Sequence, residues 1–415
     1  MTATLDVMPR TSPSTTTIRT PQHAGDVRPW SVMHATEHVR DVLDLAEAQR
    51  ALGMRPVLVT PAGYGSIDLY LRTPQVDADG VSLLGTWQEV RQWRKSLDDC
   101  GAAAAMDVVH THCFAAGMSG VRNWPVVVYD LRDCVEHDAD ANQQWLARSL
   151  RVAEQFVLAR AEAVVVHWPS MRAVACERGA ADEHIFVVPD AVTEVEPQNH
   201  SWLQPLRLPQ DAVTFFATAV QAADLDVLLS AFAQVASEIV NTVLLLEAED
   251  PASAALRNKL SAAGISRAVR LILPQHRVAA LHGVDVVLTG SASRGSTGSS
   301  AASAPHRPGL EAMRSGRALL AADTIANRDL SPEGRGCLWY KPGDARDLAG
   351  RASFLARNPD FRRSLGASAR AYLSETCSPD AVARRYDAVY RHAFARRRDG
   401  SQNPFGRLHP LQAAF

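Results

Sequence analysis

Among 415 residues the chain has only six cysteines, Cys100, Cys113, Cys134, Cys176, Cys337 and Cys377, and none stands in a CxxC spacing. That scatter argues against a disulfide framework or a thiolate-held metal, and it suits a reduced, cytoplasmic setting. No apolar run approaches the length needed to span a bilayer. Residues 1–28 are rich in Thr, Ser and Pro and lack an apolar stretch of signal-peptide length, so they read as a disordered leader. Charge of one sign is missing too. Lys and Arg number 43 against 45 Asp and Glu, a formal net charge of -2, which gives no global reason to expect nucleic acid as a partner. The stretch from Thr289 to Ala304 has Gly290 and Gly295 at Walker-type spacing but Ser296 where the lysine of a phosphate loop belongs. A flexible loop over a cleft is the better reading.

What is present is an alternation of short apolar runs with amphipathic segments, twice over. The first half has expected strands at Trp30 to His34, Pro56 to Thr60, Met106 to His110, Pro125 to Tyr129, Glu162 to His167 and Ile185 to Val188. Between the first two, Val39, Val42, Leu43 and Ala46 fall on one face of a helix that Gly53 closes. Continuous apolar runs of this kind suit parallel strands covered on both faces. A polar, proline-containing stretch at 194–210 makes a linker. Expected strands then resume at Val213 to Ala217, Thr242 to Glu247, Val269 to Leu273, Asp285 to Leu288 and Ala318 to Ala322, with helices near Asp224 to Val235, Ala252 to Ala263 and Pro308 to Ser315. Two α/β units joined in this way imply a cleft at the carboxyl ends of the strands.

The run Pro308-Gly309-Leu310-Glu311-Ala312-Met313-Arg314-Ser315-Gly316 carries the most chemistry. Pro308 can open a helix, Glu311 sits near its start, and Gly316 can close it in a left-handed cap. The helix N-terminus then offers free N–H groups beside a carboxylate, as a phosphate and a ribose diol require.

Here the sequence resembles the retaining glycosyltransferases of family 4, which have the GT-B fold. GLEAMRSG followed by ALLAAD resembles the second half of their nucleotide-sugar loop. Asp107-Val108-Val109-His110-Thr111-His112, Val187-Val188-Pro189-Asp190-Ala191-Val192 and Glu333 to Asp344 resemble three further family segments in the right order. The resemblance implies two Rossmann-like domains facing each other across a cleft: an acceptor domain at 29–193 and a nucleotide-sugar donor domain at 211–377. A final helix, 378–398, returns to the first domain, and 399–415 reads as a disordered tail. It also implies a metal-independent transfer of a hexosyl unit, with retention, from a nucleotide sugar to a hydroxyl on a saccharide, lipid-linked sugar or small molecule. No cofactor is expected beyond the nucleotide sugar as co-substrate. Gly309, Leu310, Glu311, Ala312, Met313 and Arg314 become the donor-binding set, Asp130 and Arg132 the catalytic candidates, and His110, His112 and Asp133 the acceptor side. Capping of a helix is the plain alternative for Asp133.

Several family residues are absent. Ser303 stands where the first acid of the donor loop belongs, Thr218 and Ala223 where two diphosphate-binding cations belong, and Thr36 and Glu37 in place of the first loop's glycine pair. Losing two such cations removes charge-assisted hydrogen bonds worth about 1.5–3 kcal/mol each. Arg294, Arg307, Arg314, Arg317 and Arg328 are the candidate replacements, each equally readable as a surface arginine. His110, His112 and Cys113 are metal-ligand types, but no second cluster at ligand spacing joins them, so no metal is expected. The arginines ending Tyr386 to Arg398 suit a helix C-terminus, with a peripheral contact at the inner membrane face as the alternative. Because site residues are missing, two other functions stay open: a noncatalytic GT-B partner of an active transferase, and a sugar-nucleotide epimerase or hydrolase on the same fold.

Overall fold

The computed structural model of the chain describes residues 30–37, 39–60, 63–65, 83–103, 106–124, 126–132, 144–192, 206–209, 211–218, 220, 222–290, 307–331 and 334–402. The N-terminal unit runs β1 (Ser31–Ala35), α1 (Val39–Ala51), β2 (Arg55–Thr60), β3 (Gly63–Gly65), α2 (Leu83–Ala103), β4 (Val108–Thr111), α3 (Phe114–Asn123), β5 (Val127–Leu131), α4 (Gln144–Arg160), β6 (Ala163–Val166), α5 (Pro169–Glu177) and β7 (Ile185–Val187). Its sheet has the order β3-β2-β1-β4-β5-β6-β7, parallel except for β3. Every residue of β1, β4, β5 and β6 is buried, which is why these segments are short and apolar rather than alternating.

The C-terminal unit runs β8 (Val213–Thr218), α6 (Ala222–Glu238), β9 (Thr242–Glu247), α7 (Ala254–Ala262), β10 (Val269–Ile272), α8 (Arg277–Gly283), β11 (Val286–Thr289), α9 (Arg307–Arg314), β12 (Ala318–Ala322), α10 (Ile325–Leu330), β13 (Cys337–Tyr340), α11 (Ala345–Arg357) and α12 (Pro359–Thr376). Its sheet, β10-β9-β8-β11-β12-β13, is wholly parallel. Gly316 adopts φ 66° directly after α9, the left-handed cap expected from the sequence. At Gly366 a Cβ would lie 2.1 Å from the Gly316 carbonyl oxygen, so α12 packs against this turn only because the side chain is missing.

The last helix, α13 (Pro379–Gln402), lies on α1, β5 and β6 of the first unit. Val382, Tyr386, Val389, Tyr390 and Ala393 are buried there among strand residues such as Val108, Val128 and Val165. Burying each large side chain contributes about 1.5–3 kcal/mol, which fixes the returning helix. It runs to Gln402, four residues past the 398 expected from the sequence, so Arg396, Arg397 and Arg398 do not end it. Arg396 Nη1 donates to the carbonyls of Ala161 and Glu162 at 2.8 and 3.1 Å, which gives that arginine a structural task.

The two units touch through helices that follow the strands' carboxyl ends. The Ser170 hydroxyl at the start of α5 donates to Asp329 of α10, and the Ser170 N–H does so at 3.2 Å. Both sheets therefore turn their carboxyl edges toward a common cleft. Among the described residues no helix is long and apolar enough to cross a membrane.

Candidate functional site

On the N-terminal side the cleft floor is a buried polar cluster built by four neighbouring strands. His34 of β1 and His110 of β4 are partners in the parallel register, so their side chains share a face, and His112 follows two residues on. Asp130 near the end of β5 binds His112 Nδ1 through Oδ2 at 2.8 Å and His167 Nε2, just beyond β6, through Oδ1 at 2.6 Å. Arg132 sits with Nε 3.4 Å from Asp130 Oδ2 and Nη1 3.4 Å from Asp190 Oδ1. His34 Nε2 meets Gln49 Oε1 at 2.7 Å, and Gln49 Nε2 and His110 Nδ1 each meet the Tyr390 hydroxyl at 3.0 Å.

Burial alone would raise the Asp130 carboxyl, yet His167 and Arg132, with the hydrogen bonds from His112 and His167, hold it well below the ordinary carboxylate range. Burial works against charge on His167 as well, but Asp130 and Asp190 raise it. For the other three imidazoles burial wins. His112 is lowered, His110 is lowered well below its usual value by burial and by His112 and His34, and His34 falls to about 3 through burial and His112. The result is an ion-paired group of Asp130, His167, Arg132 and Asp190 beside three neutral histidines. Arg132 and Asp190, with side chains 31% and 34% exposed, are the members of this group that reach toward open space.

On the C-terminal side, Glu247 at the end of β9 binds the Arg277 guanidinium with both oxygens, Nε to Oε2 at 2.9 Å and Nη2 to Oε1 at 2.5 Å. Thr218 at the end of β8 donates to the same carboxylate at 2.7 Å. Burial raises the Glu247 carboxyl, but the bonds from Arg277 and Thr218 leave it lowered overall. Glu247 raises Arg277 most, and Glu311 and Glu249 act on it in the same sense, so this arginine stands among three carboxylates at the sheet's carboxyl edge. Elsewhere in the C-terminal unit a narrow cavity is lined by Ala217, Val220, Asp224, Thr289, Gly290 and Tyr340, among others. A Cβ on Gly290 would meet Asp224 Oδ2 at 2.6 Å, and Asn327 Nδ2 holds the Gly290 carbonyl at 3.0 Å.

Comparison with solved structures returns the same architecture. HepE (Alr3699) from Anabaena, solved in complex with UDP and glucose, aligns over 86% of this chain and 98% of its own at 14% identity and TM-score 0.62. A glycosyltransferase from Rickettsia africae aligns over 88% and 98% at 12% identity and TM-score 0.65. A protein from Listeria monocytogenes described as a UDP-N-acetylglucosamine 2-epimerase aligns over 88% and 97% at 16% identity and TM-score 0.58. At such identities these likenesses speak for the fold alone. No curated protein sequence matches. Residues 38–191 match the family profile described as a glycosyl transferase 4-like domain. The chain has the GT-B architecture, and its N-terminal unit matches the glycosyl transferase 4-like profile.

Within this GT-B cleft the expected site residues separate. Asp130, Arg132, His110 and His112 gather in one cluster, whereas Asp133 lies outside the described residues. In α9 the side chains of Leu310, Ala312 and Met313 are buried in the core, and a Cβ on Gly309 would come 2.5 Å from Leu330 Cδ1. Helix geometry commits the N–H groups from Leu310 onward to the helix, and Pro308 has none, so of α9 the N–H groups of Arg307 and Gly309 face outward at its start, with the Glu311 carboxylate in the next turn. Arg314 lies in the last turn. Of the candidate cations, Arg317 donates to the His282 carbonyl, and Arg328 pairs with Asp323 at 2.7 Å and lies over Trp339. Both are engaged away from the β8 and β9 ends. The side chain of Arg307, and Arg294 and Ser303 altogether, lie outside the described residues, as does the loop 291–306.

Thr36 is buried with its N–H on the Val59 carbonyl, and Glu37 is exposed beside it. Cys113 does not join the histidines. Its thiol faces Glu37 and Glu89, and burial raises it well above its usual value. Sequence reasoning missed His34, His167 and Arg277, each brought in from a segment remote in the chain; only the parallel register of β1 with β4 carries a signal for His34.

Proposed function

We propose that the protein moves a hexosyl unit from a nucleotide sugar to a hydroxyl acceptor with retention, with no metal ion taking part in the transfer step. The observation that carries this reading is the pairing across one cleft of two chemically distinct edges, the Gly309, Glu311 and Arg277 edge and the Arg132, Asp130 and Asp190 edge. HepE, which shares the fold, is described in complex with UDP and glucose, which supports a uridine nucleotide as the first donor to try.

In this reading the N–H groups of Arg307 and Gly309 at the start of α9 and the outer edge of the Arg277 guanidinium take the diphosphate, and Glu311 takes the ribose hydroxyls. Arg277 fills the place left by Thr218 and Ala223. Stabilising the leaving diphosphate is then the main catalytic requirement, since that group can itself accept the acceptor's proton. Arg132 faces the transferred sugar, and Asp130 holds Arg132 and His112 in place. The acceptor hydroxyl enters from the His112 side.

One observation favours a noncatalytic partner instead: Glu247, Glu249 and Glu311 surround Arg277, an acidic setting for a diphosphate. Titration calorimetry with UDP separates the two readings. The proposal expects saturable binding that Glu311→Gln weakens without loss of thermal stability. An absence of UDP and GDP binding supports the partner reading, and unchanged affinity in Glu311→Gln removes that carboxylate from the site.

A further inference from the structure

The transfer reading uses the Asp130 and Arg132 part of the N-terminal cluster and leaves its inner part without a task. Here His34, His110 and His112 each present one ring nitrogen, and the three atoms lie within 4.8 Å of one another. We propose that these three histidines form a buried site for a zinc-class divalent cation that ties β1 to β4 inside the N-terminal domain. The site lies behind the transfer machinery and shares with it only His112 and its partner Asp130.

The geometry is that of ligands already oriented by a second set of partners. A histidine that binds a metal through one nitrogen holds the other in a hydrogen bond that fixes its ring. Gln49 Oε1 holds His34 Nε2, Asp130 Oδ2 holds His112 Nδ1, and the Tyr390 hydroxyl holds His110 Nδ1. The inward atoms left over are His34 Nδ1, His112 Nε2 and His110 Nε2.

Proton placement sharpens the point. With the Gln49 carbonyl against it, His34 Nε2 is the donor, so in the neutral ring Nδ1 carries a lone pair. Ionised Asp130 likewise makes His112 Nδ1 the donor and leaves a lone pair on Nε2. These two lone-pair atoms face each other at 3.0 Å. A cation between them satisfies both, and zinc at its usual 2.0–2.1 Å from each nitrogen needs them to open by only about 0.3–0.5 Å. His110 Nε2 is fully buried and has no hydrogen-bond partner among the described residues, with Asp130 Oδ2 standing 3.9 Å away. His34 and His110 are 0% exposed, so a cation here would be enclosed as in a structural site rather than open to substrate. Imidazole is a ligand that zinc, copper and nickel share, and zinc is the member without redox chemistry.

The metal-free alternative turns the Gln49 amide over, which lets one chain of hydrogen bonds run from Tyr390 through Gln49, His34 and His112 to Asp130. That arrangement still leaves His110 Nε2 without a partner among the described residues. Metal analysis of the full chain decides between the two. The protein is unfolded, stripped with a chelator, refolded with and without zinc chloride, and passed over a desalting column. The proposal expects about one zinc per chain retained by the zinc-refolded protein and a higher melting temperature than in the zinc-free sample. Cobalt in place of zinc should give visible absorption bands of a low-coordinate nitrogen site. His34→Gln and His110→Gln should lose the metal, while His276→Gln, on the other unit, should keep it. Substoichiometric zinc in the wild type with equal melting temperatures overturns the proposal, as does full zinc retention in folded His34→Gln and His110→Gln. None of these readouts depends on a nucleotide sugar.

Discussion

Replacing Arg277 by Gln tests whether one unforeseen arginine replaces the cations missing at Thr218 and Ala223. Its Nε and Nη2 are taken up by Glu247, and among the described residues no hydrogen bond is made by Nη1. The outer edge of the fork is therefore available to a phosphate while the inner edge fixes its direction. A charge-assisted contact of this kind contributes about 1.5–3 kcal/mol, so its loss should raise the dissociation constant for UDP by about 10- to 150-fold. Uridine, which has no phosphate, should bind wild type and variant with the same affinity. Glu247 would keep only the Thr218 hydroxyl, and a largely buried carboxylate short of its partner costs about 1–3 kcal/mol of stability. Calorimetry with UDP, UMP and uridine, alongside thermal melts, reads all of these effects. Equal losses for UDP and uridine, or an unchanged UDP affinity in a folded variant, would refute the assignment of Arg277 to the diphosphate.

Asp130→Asn should be strongly destabilising, by about 3–5 kcal/mol, because it removes the buried countercharge of His167 and Arg132 and, among the described residues, leaves them only the more exposed Asp190; a melting temperature near that of wild type would contradict the ion-pair account. Gly366→Ala drives a methyl group into the Gly316 carbonyl and should cost at least about 1–3 kcal/mol by overpacking, read from urea unfolding. Glu247 is lowered from its ordinary value of 4.5, so its stabilisation is complete above that pH and is lost as the pH falls through the lowered value. The stability gap between wild type and Glu247→Gln should therefore narrow on acidification below about 4.5, and a gap that widens there would reverse the sign of the argument.

The parts legible in the sequence are those written locally. The α9 helix with its glycine cap and the following β12 depend on neighbours within a dozen residues, and both stand where the sequence placed them. The same holds for α1, read from its one-sided apolar face, and for β2 and β9, whose apolar runs are continuous. β3 is only Gly63–Gly65, too short and too glycine-rich to carry a periodic signal. β13 (Cys337–Tyr340) lay within a family-like segment, but its mixed burial hid it as a strand. The candidate site was half visible. Asp130, Arg132, His110 and His112 sit at strand ends that the pattern located, yet His34 joins them only through the register of β1 with β4. The link between Glu247 and Arg277 spans 30 residues and depends on how β9 and α8 pack, which no local pattern encodes.

The central claim is that this cleft transfers a sugar from a nucleotide. Nuclear magnetic resonance of UDP-glucose and related donors, incubated with the full chain and a panel of hydroxyl acceptors, follows that reaction atom by atom. The account predicts acceptor-dependent release of UDP with formation of a glycoside of the donor's own anomeric configuration. Donor isomerised or hydrolysed equally well without any acceptor, or left unchanged under every condition, would contradict it.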